Sequence, residues 1–149
     1  MNPYTKEVGN KLNALLEKNY DAEKGYKKAA EHTENTSLKN HFNRKAAERY
    51  DFGHQLKSEI KNFGQEPDKG GSVTGTAHRA WMDVKAVFSS DNAESMLEEA
   101  IRGEKASVEE YNEVLNETSL PASTRDLVMK QKNTISQELN TIKRLEDLQ

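Results

Sequence analysis

Four long stretches of this sequence carry apolar residues at alternating intervals of three and four, and no stretch sustains a strand-like alternation. That rhythm follows the 3.6-residue turn of an α-helix and leaves a β-sheet little to build on. The first stripe is Val8, Leu12, Leu15, Ala22, Tyr26 and Ala29. The second is Leu38, Phe42, Ala46, Phe52, Leu56, Ile60 and Phe63. The third is Leu97, Ala100 with Ile101, Val108, Tyr111 and Leu115. The fourth is Val128, Ile135, Leu139, Ile142 and Leu145. Each stripe is broken once, near its middle, by a polar residue: Asn19, Arg49, Glu104 and Gln131.

Helices are therefore expected over roughly 3–33, 37–63, 91–117 and 121–148, with a short one over roughly 75–88. Asn2-Pro3 and Asn35-Thr36-Ser37 supply start signals, and Gly64 supplies a stop. Ser90-Asp91 with Glu94 reads as a capping box for the third long helix, and Pro121 opens the fourth. Residues 64–75 hold four of the eight glycines and one of the three prolines, which marks a loop. The connections after the first and third helices are short and make antiparallel hairpins. The connection between the second and third is long. Two hairpins joined by one long crossover that carries a short helix make an all-α, ferritin-like four-helix bundle, a single domain over residues 1–149.

Composition supports helices over disorder. Leu, Ile, Val and Phe make up 27 of the 149 residues, a low share, but 22 basic and 25 acidic side chains nearly balance at a net charge of −3. Disorder requires high net charge as well as few apolar residues, whereas helices with one narrow buried stripe require only the latter. The absence of cysteine excludes a disulfide scaffold, a thiolate metal site and a cysteine nucleophile. No apolar run approaches the roughly 18 residues of a membrane span, and Met1–Asn10 has no signal core. The chain is read as soluble and cytoplasmic, without a membrane partner. With pI near 5.9 it shows no basic field for nucleic acid.

The four interruptions fall at one level if antiparallel helices align their middles. Arg49 and Glu104 then form an ion pair, and the amides of Asn19 and Gln131 fill the remaining donors and acceptors. Tyr26 follows Asn19 by seven residues, and Tyr111 follows Glu104 by seven. Seven residues is about two turns, so helices one and three present the same polar-plus-tyrosine pattern, a two-fold pseudo-repeat.

Several strings carry a resemblance: Leu12-Asn-Ala-Leu-Leu-Glu17, Gly25-Tyr26-Lys-Lys-Ala-Ala-Glu31, His78-Arg79-Ala-Trp81-Met-Asp-Val-Lys85, and Gly103-Glu104 with Tyr111. Over nearly the whole chain the sequence resembles a bacterial family of unknown function described as four-helix-bundle proteins. That family is distantly similar to rubrerythrin and ferritin. The His78-to-Lys85 string is the most specific part. The resemblance implies a fold far more than an activity.

The chemistry such a bundle invites is a di-iron or di-manganese centre. It takes a Glu from each of two helices and Glu-x-x-His from each of the other two. No Glu-x-x-His occurs here. Asp51-x-x-His54 comes closest, and it projects away from the stripe toward solvent. Against rubrerythrin-like motifs, Asn19 takes the place of the first glutamate and Arg49 falls at or next to the second. Glu104 keeps the third, and Gln131, Glu138 and Leu139 offer at most one ligand. An arginine in the layer repels metal ions and neutralises Glu104 in their place. The alternative keeps a metal, iron or manganese, at an atypical site of Glu104 helped by Glu48 or Glu138. Glu17, Asp21, Glu31, Glu48 and Glu138 are expected at the solvated edges of their helices. Tyr26 and Tyr111 read as core tyrosines whose hydroxyls reach a partner.

His78, Trp81 and Lys85 lie on one side of the short helix. Trp81 is expected to anchor it to the bundle, while His78 and Arg79 at its start offer an anion site as the alternative. The glycine-rich loop lacks the P-loop pattern, and no nucleophile with a paired base is visible. The function expected is a non-enzymatic bundle acting by binding or assembly, in stress physiology by analogy alone, with no cofactor. The alternative is a metal-dependent oxidase or metal-handling protein around Glu104. A homodimer is admissible, through the side carrying Met82 or the faces near Tyr4 and Tyr50.

Overall fold

The structure is a computed structural model, and it describes residues 3–68, 92–117 and 119–148. They form α1 (Pro3–His32), α2 (Thr36–Asn62), α3 (Ala93–Glu117), α4 (Ala122–Thr141) and a closing 3-10 turn (Leu145–Leu148). The described residues contain no strand. The expected short helix over 75–88, with His78, Arg79, Trp81, Met82 and Lys85, lies outside the described residues.

The helix ends follow local chemistry. Asn35 caps α2, its side chain accepting from the Leu38 N–H at 2.9 Å. At the other end Gly64 takes φ 73°, and the N–H groups of Gly64 and Gln65 bond back to Lys61 and Ile60 carbonyls at 2.9 and 3.3 Å. This is the Schellman pattern, and glycine supplies its left-handed residue without strain. Gln65 then lays its amide against α1 and donates to the Thr5 carbonyl at 2.7 Å, in space left open by Gly9.

Two boundaries differ from the sequence expectation. The cap of α3 is Asn92, whose Oδ1 accepts from the Glu94 and Ser95 N–H groups at 2.8 and 3.4 Å. Ser90 and Asp91, the residues expected to form a capping box with Glu94, lie outside the described residues. The Glu94 carboxylate accepts from the Leu145 N–H at 3.0 Å and so ties the closing 3-10 turn to the start of α3. The fourth helix stops at Thr141, not near 148, because Ile142 turns extended at φ −111° and ψ 99°. Asp147 then accepts from the Lys143 and Arg144 N–H groups at 2.9 and 3.0 Å. Ile142, Leu145 and Leu148 still pack on the core. Their spacing of three also suits a 3-10 turn, so the stripe runs on past the end of the α-helix.

Contacts along the helices fix the arrangement. Asn19 meets Arg49, Lys18 meets Glu110, Tyr111 meets Gln131 and Lys45 meets Glu138. Thr124 meets Glu59, and Lys11 meets Glu117. In each neighbouring pair, α1/α2, α3/α4, α1/α3 and α2/α4, residue numbers rise on one helix as they fall on the other. All four neighbours are thus antiparallel, and α2 faces α3 across the diagonal. The end of α2 and the start of α3 lie at opposite ends of the bundle.

The apolar core comes in two parts. One holds Tyr26, Leu38, Phe42, Met96 and Leu97 among others. The other holds Leu12, Leu16, Leu56, Ile60 and Val128 among others. Between them lies a layer that is polar from side to side.

Candidate functional site

That layer starts from Arg49, which is 1% exposed although it carries a fixed charge. A buried charge requires a counter-charge and hydrogen bonds. Helix α2 aims the guanidinium at α3, where Nη2 donates to Glu104 Oε1 at 2.8 Å and to Ser107 Oγ at 3.0 Å. Nη1 donates to Asn19 Oδ1 at 2.9 Å. The Asn19 amide in turn donates to the Leu15 carbonyl at 2.9 Å and to Tyr111 Oη at 3.0 Å. The Tyr111 hydroxyl donates to Gln131 Oε1 at 2.6 Å. Gln131 closes the chain by donating to the Phe52 carbonyl and Gln55 Oε1 at 3.2 and 2.9 Å.

The structure therefore brings Asn19, Arg49, Glu104, Gln131, Tyr26 and Tyr111 together. Gln131 joins through Tyr111 and does not fill donors of the ion pair directly. The pseudo-repeat of α1 and α3 is exchanged crosswise: Asn19 bonds Tyr111, and Tyr26 donates to Glu104 Oε1 at 2.7 Å. Asp51 and His54 are exposed.

The sequence reading missed Lys45. It is 3% exposed, one turn before Arg49. Its ammonium donates to Glu48 Oε2 at 2.5 Å and to Glu138 Oε2, and it faces Glu104 Oε2 at 3.4 Å. Two of the five carboxylates expected at solvated edges are buried instead, Glu17 at 5% and Asp21 at 7% exposure. Glu48 and Glu138 are half-buried because Lys45 draws them inward, and Glu31 is exposed.

Protonation follows from these neighbours. Burial opposes the charge on Glu104, but Arg49, Lys45 and the bonds from Tyr26 and Arg49 outweigh it and hold its carboxyl below the usual range. Burial likewise opposes the Lys45 ammonium, and Glu104 and Glu48 more than restore it. Burial pushes Glu48 up to about 7 against the pull of Lys45, with Glu138 adding to the rise. His41, packed one turn before Lys45, falls to about 4 through burial and the charges of Lys45 and Arg44. Burial pushes Tyr111 up to about 12, and burial beside Glu104 raises Tyr26 well above its ordinary value.

A family model described as "Domain of unknown function (DUF2383)" matches residues 7–117. The chain belongs to this family. The matched region spans most of α1 and all of α2 and α3, so it holds Asn19, Lys45, Arg49 and Glu104 of the DUF2383 chain. Gln131 and Glu138, on α4, fall beyond it. No curated protein matches the chain.

Among the described residues, the side chains present do not fit the di-metal centre that the resemblance implies. Among the described residues, no three His, Asp or Glu side chains converge on a metal position. The carboxylates that do approach one another, Glu48, Glu104 and Glu138, surround Lys45. Arg49 holds the neighbouring place. Among the described residues, no helix is long and apolar enough to cross a membrane.

Proposed function

We propose that this protein is a non-catalytic helical bundle of ferritin-like type that acts by binding or assembly, its polar layer standing where a di-metal site would be. One observation carries the reading. The carboxylates of the layer are neutralised by the chain's own cations, Lys45 and Arg49, held by three helices. A metal ion brought here would meet two fixed positive charges and carboxylates already engaged. The ferritin-like frame is supported by four antiparallel neighbour pairs and by α2 ending at the opposite end from the start of α3. A cytoplasmic, stress-related setting extends that likeness and rests on analogy.

In this reading the layer serves specificity. It joins the hairpin α1/α2 to the hairpin α3/α4 in one register, because each donor meets its acceptor in only one alignment. The outer faces are left for partners, and among the described residues Tyr4 and Tyr50 are the large apolar side chains most exposed, at 43% and 51%. A second copy is the partner we assign to them.

The test is elemental analysis of the purified protein after anaerobic loading with Fe(II) or Mn(II) and desalting, together with light scattering. The expected result is no retained metal and a dimer that Tyr50→Glu weakens. Two metals per chain, lost in Glu104→Ala, would overturn the non-catalytic reading. A monomer at all concentrations would overturn the dimer.

A further inference from the structure

A groove of about 670 Å³ lies between α3 and α4 on the outer side of their hairpin. Its floor is apolar. Ile101 and Val108 stand seven residues apart on α3, hence on one face, and Leu139 joins them from α4. All three are half-buried: each rests on the core with one side and shows the other to the groove. Every lining residue comes from α3, from α4 or from Lys143 just past it, so among the described residues the groove is open along its outer side.

The rim is charged unevenly. Lys105, Glu109 and Lys143 are exposed, while Ser136 and Asn140 on the α4 side are neutral. Glu94 meets Leu145 and Tyr111 meets Gln131, so residue numbers fall on α4 as they rise on α3. Lys143 therefore stands at the Ile101 end, Lys105 beyond it, and Glu109 at the Val108 end. Along the α1/α3 seam the lysines are paired, Lys11 with Glu117 and Lys18 with Glu110. Among the described residues neither Lys105 nor Lys143 has an ion pair, and Asp147 takes the Lys143 backbone N–H instead of its ammonium. An apolar floor with two unpaired ammoniums beside it suits an occupant that is apolar on one side and acidic along its flanks.

Shape favours a helix over a small molecule. Small-molecule sites bury most of their ligand, and a groove open along one side does not. From Ile101 to Glu109 is about 12 Å at the helical rise, two turns, which is the reach of anchors at i and i+7 on a partner helix. We propose that this groove takes an acidic amphipathic helix of a partner protein, its apolar side on Ile101, Val108 and Leu139 and its carboxylates on Lys105 and Lys143. The occupant's acidic turn meets Lys143 and Lys105, and a neutral or basic turn meets Glu109. The inference rests on the reading of the protein as one that acts by binding. It places a partner on a face that Tyr4 and Tyr50 do not share, since Tyr4 stands on α1 and Tyr50 on α2.

Two synthetic amphipathic peptides test this with the full chain, read by fluorescence anisotropy at low and high salt. Both carry leucine at i, i+4 and i+7; one has glutamate on the flanks of that stripe and the other lysine. The acidic peptide is expected to bind about 10-fold more tightly than the basic one, with the gap closing at about 0.5 M salt. Lys105→Glu combined with Lys143→Glu is expected to invert the preference. Val108→Asp is expected to abolish binding of both peptides while its circular dichroism matches wild type. Both lysines are exposed, so the double variant keeps the test intact should Val108→Asp not fold. No saturable binding of the acidic peptide, equal binding of the two peptides, or a preference unchanged in the double variant overturns the proposal. Light scattering that shows Val108→Asp turning a dimer into monomers also overturns it, because a second copy then covers the groove. Metal retention and the effect of Tyr50→Glu are read separately, so this inference and the reading above fail independently.

Discussion

Three side chains from two other helices converge on Glu104: Tyr26 and Arg49 both donate to its Oε1, and Lys45 faces its Oε2. Truncation to alanine leaves Arg49 buried with Asn19 and Ser107 but no counter-charge. Glu104→Ala is expected to cost about 3–5 kcal/mol in urea unfolding, the range for breaking a buried ion pair from one side. Arg49→Met combined with Glu104→Leu is expected to cost less than either single change, because no lone charge then remains. A wild-type midpoint for Glu104→Ala would show that the pair carries no stability. Arg49 and Glu104 were legible in the sequence because each sat alone in an apolar stripe. Lys45 was not, although Leu38, Phe42, Lys45, Arg49, Phe52 and Leu56 also follow intervals of three and four. Ala46 satisfied the same rhythm one residue later and is itself buried, so hydrophobicity favoured the wrong neighbour. Glu17 and Asp21 were misplaced for a related reason. A residue beside a stripe is buried or exposed according to what packs next to it, and periodicity within one helix carries no record of that.

At the level of elements, α2 is defined at both ends by side chains and backbone that the sequence displays. Asn35→Ala removes the acceptor for the Leu38 N–H and is expected to cost about 1 kcal/mol. Gly64→Ala forces a Cβ into φ 73° and is expected to cost about 1–2 kcal/mol, with Gly64→Asn costing less. Urea midpoints of the three variants check both values, and a Gly64→Ala midpoint equal to wild type would refute the strained cap. The caps of α2 were readable because asparagine is favoured just before a helix and glycine just after it, each for its own backbone geometry. The cap of α3 was harder, since Asp91 and Asn92 are both good capping residues side by side. Glu94 also binds Leu145, a contact 51 residues away that no local pattern announces. The end of α4 was hidden for the converse reason. Ile142, Leu145 and Leu148 keep a helical spacing while the backbone has already left the α-helix.

For the whole molecule, the seam between the two hairpins is rich in polar contacts. Beside the central layer it is spanned by Lys18–Glu110 at 2.8 Å, Lys11–Glu117 at 3.1 Å and Thr124–Glu59 at 2.5 Å. A seam made this way ties stability to pH through the groups whose protonation folding alters. His41 falls from 6.5 in the unfolded chain to about 4, so its contribution is present above pH 6.5 and is lost as pH falls toward 4. Glu48 rises from 4.5 to about 7, so its contribution is present below pH 4.5 and is lost as pH rises toward 7. Across pH 4.5 to 6.5 the two slopes oppose each other, and wild-type Tm is expected to stay nearly level. Removing one group exposes the other: Glu48→Gln is expected to lose Tm on acidification across that window, and His41→Gln to gain it. Below pH 4.5 both are expected to fall, because Glu104, held below its unfolded 4.5, then begins to lose its advantage. Melts of the wild type and the two variants at half-unit steps would check this. Parallel curves for all three proteins would show that these groups do not govern the seam.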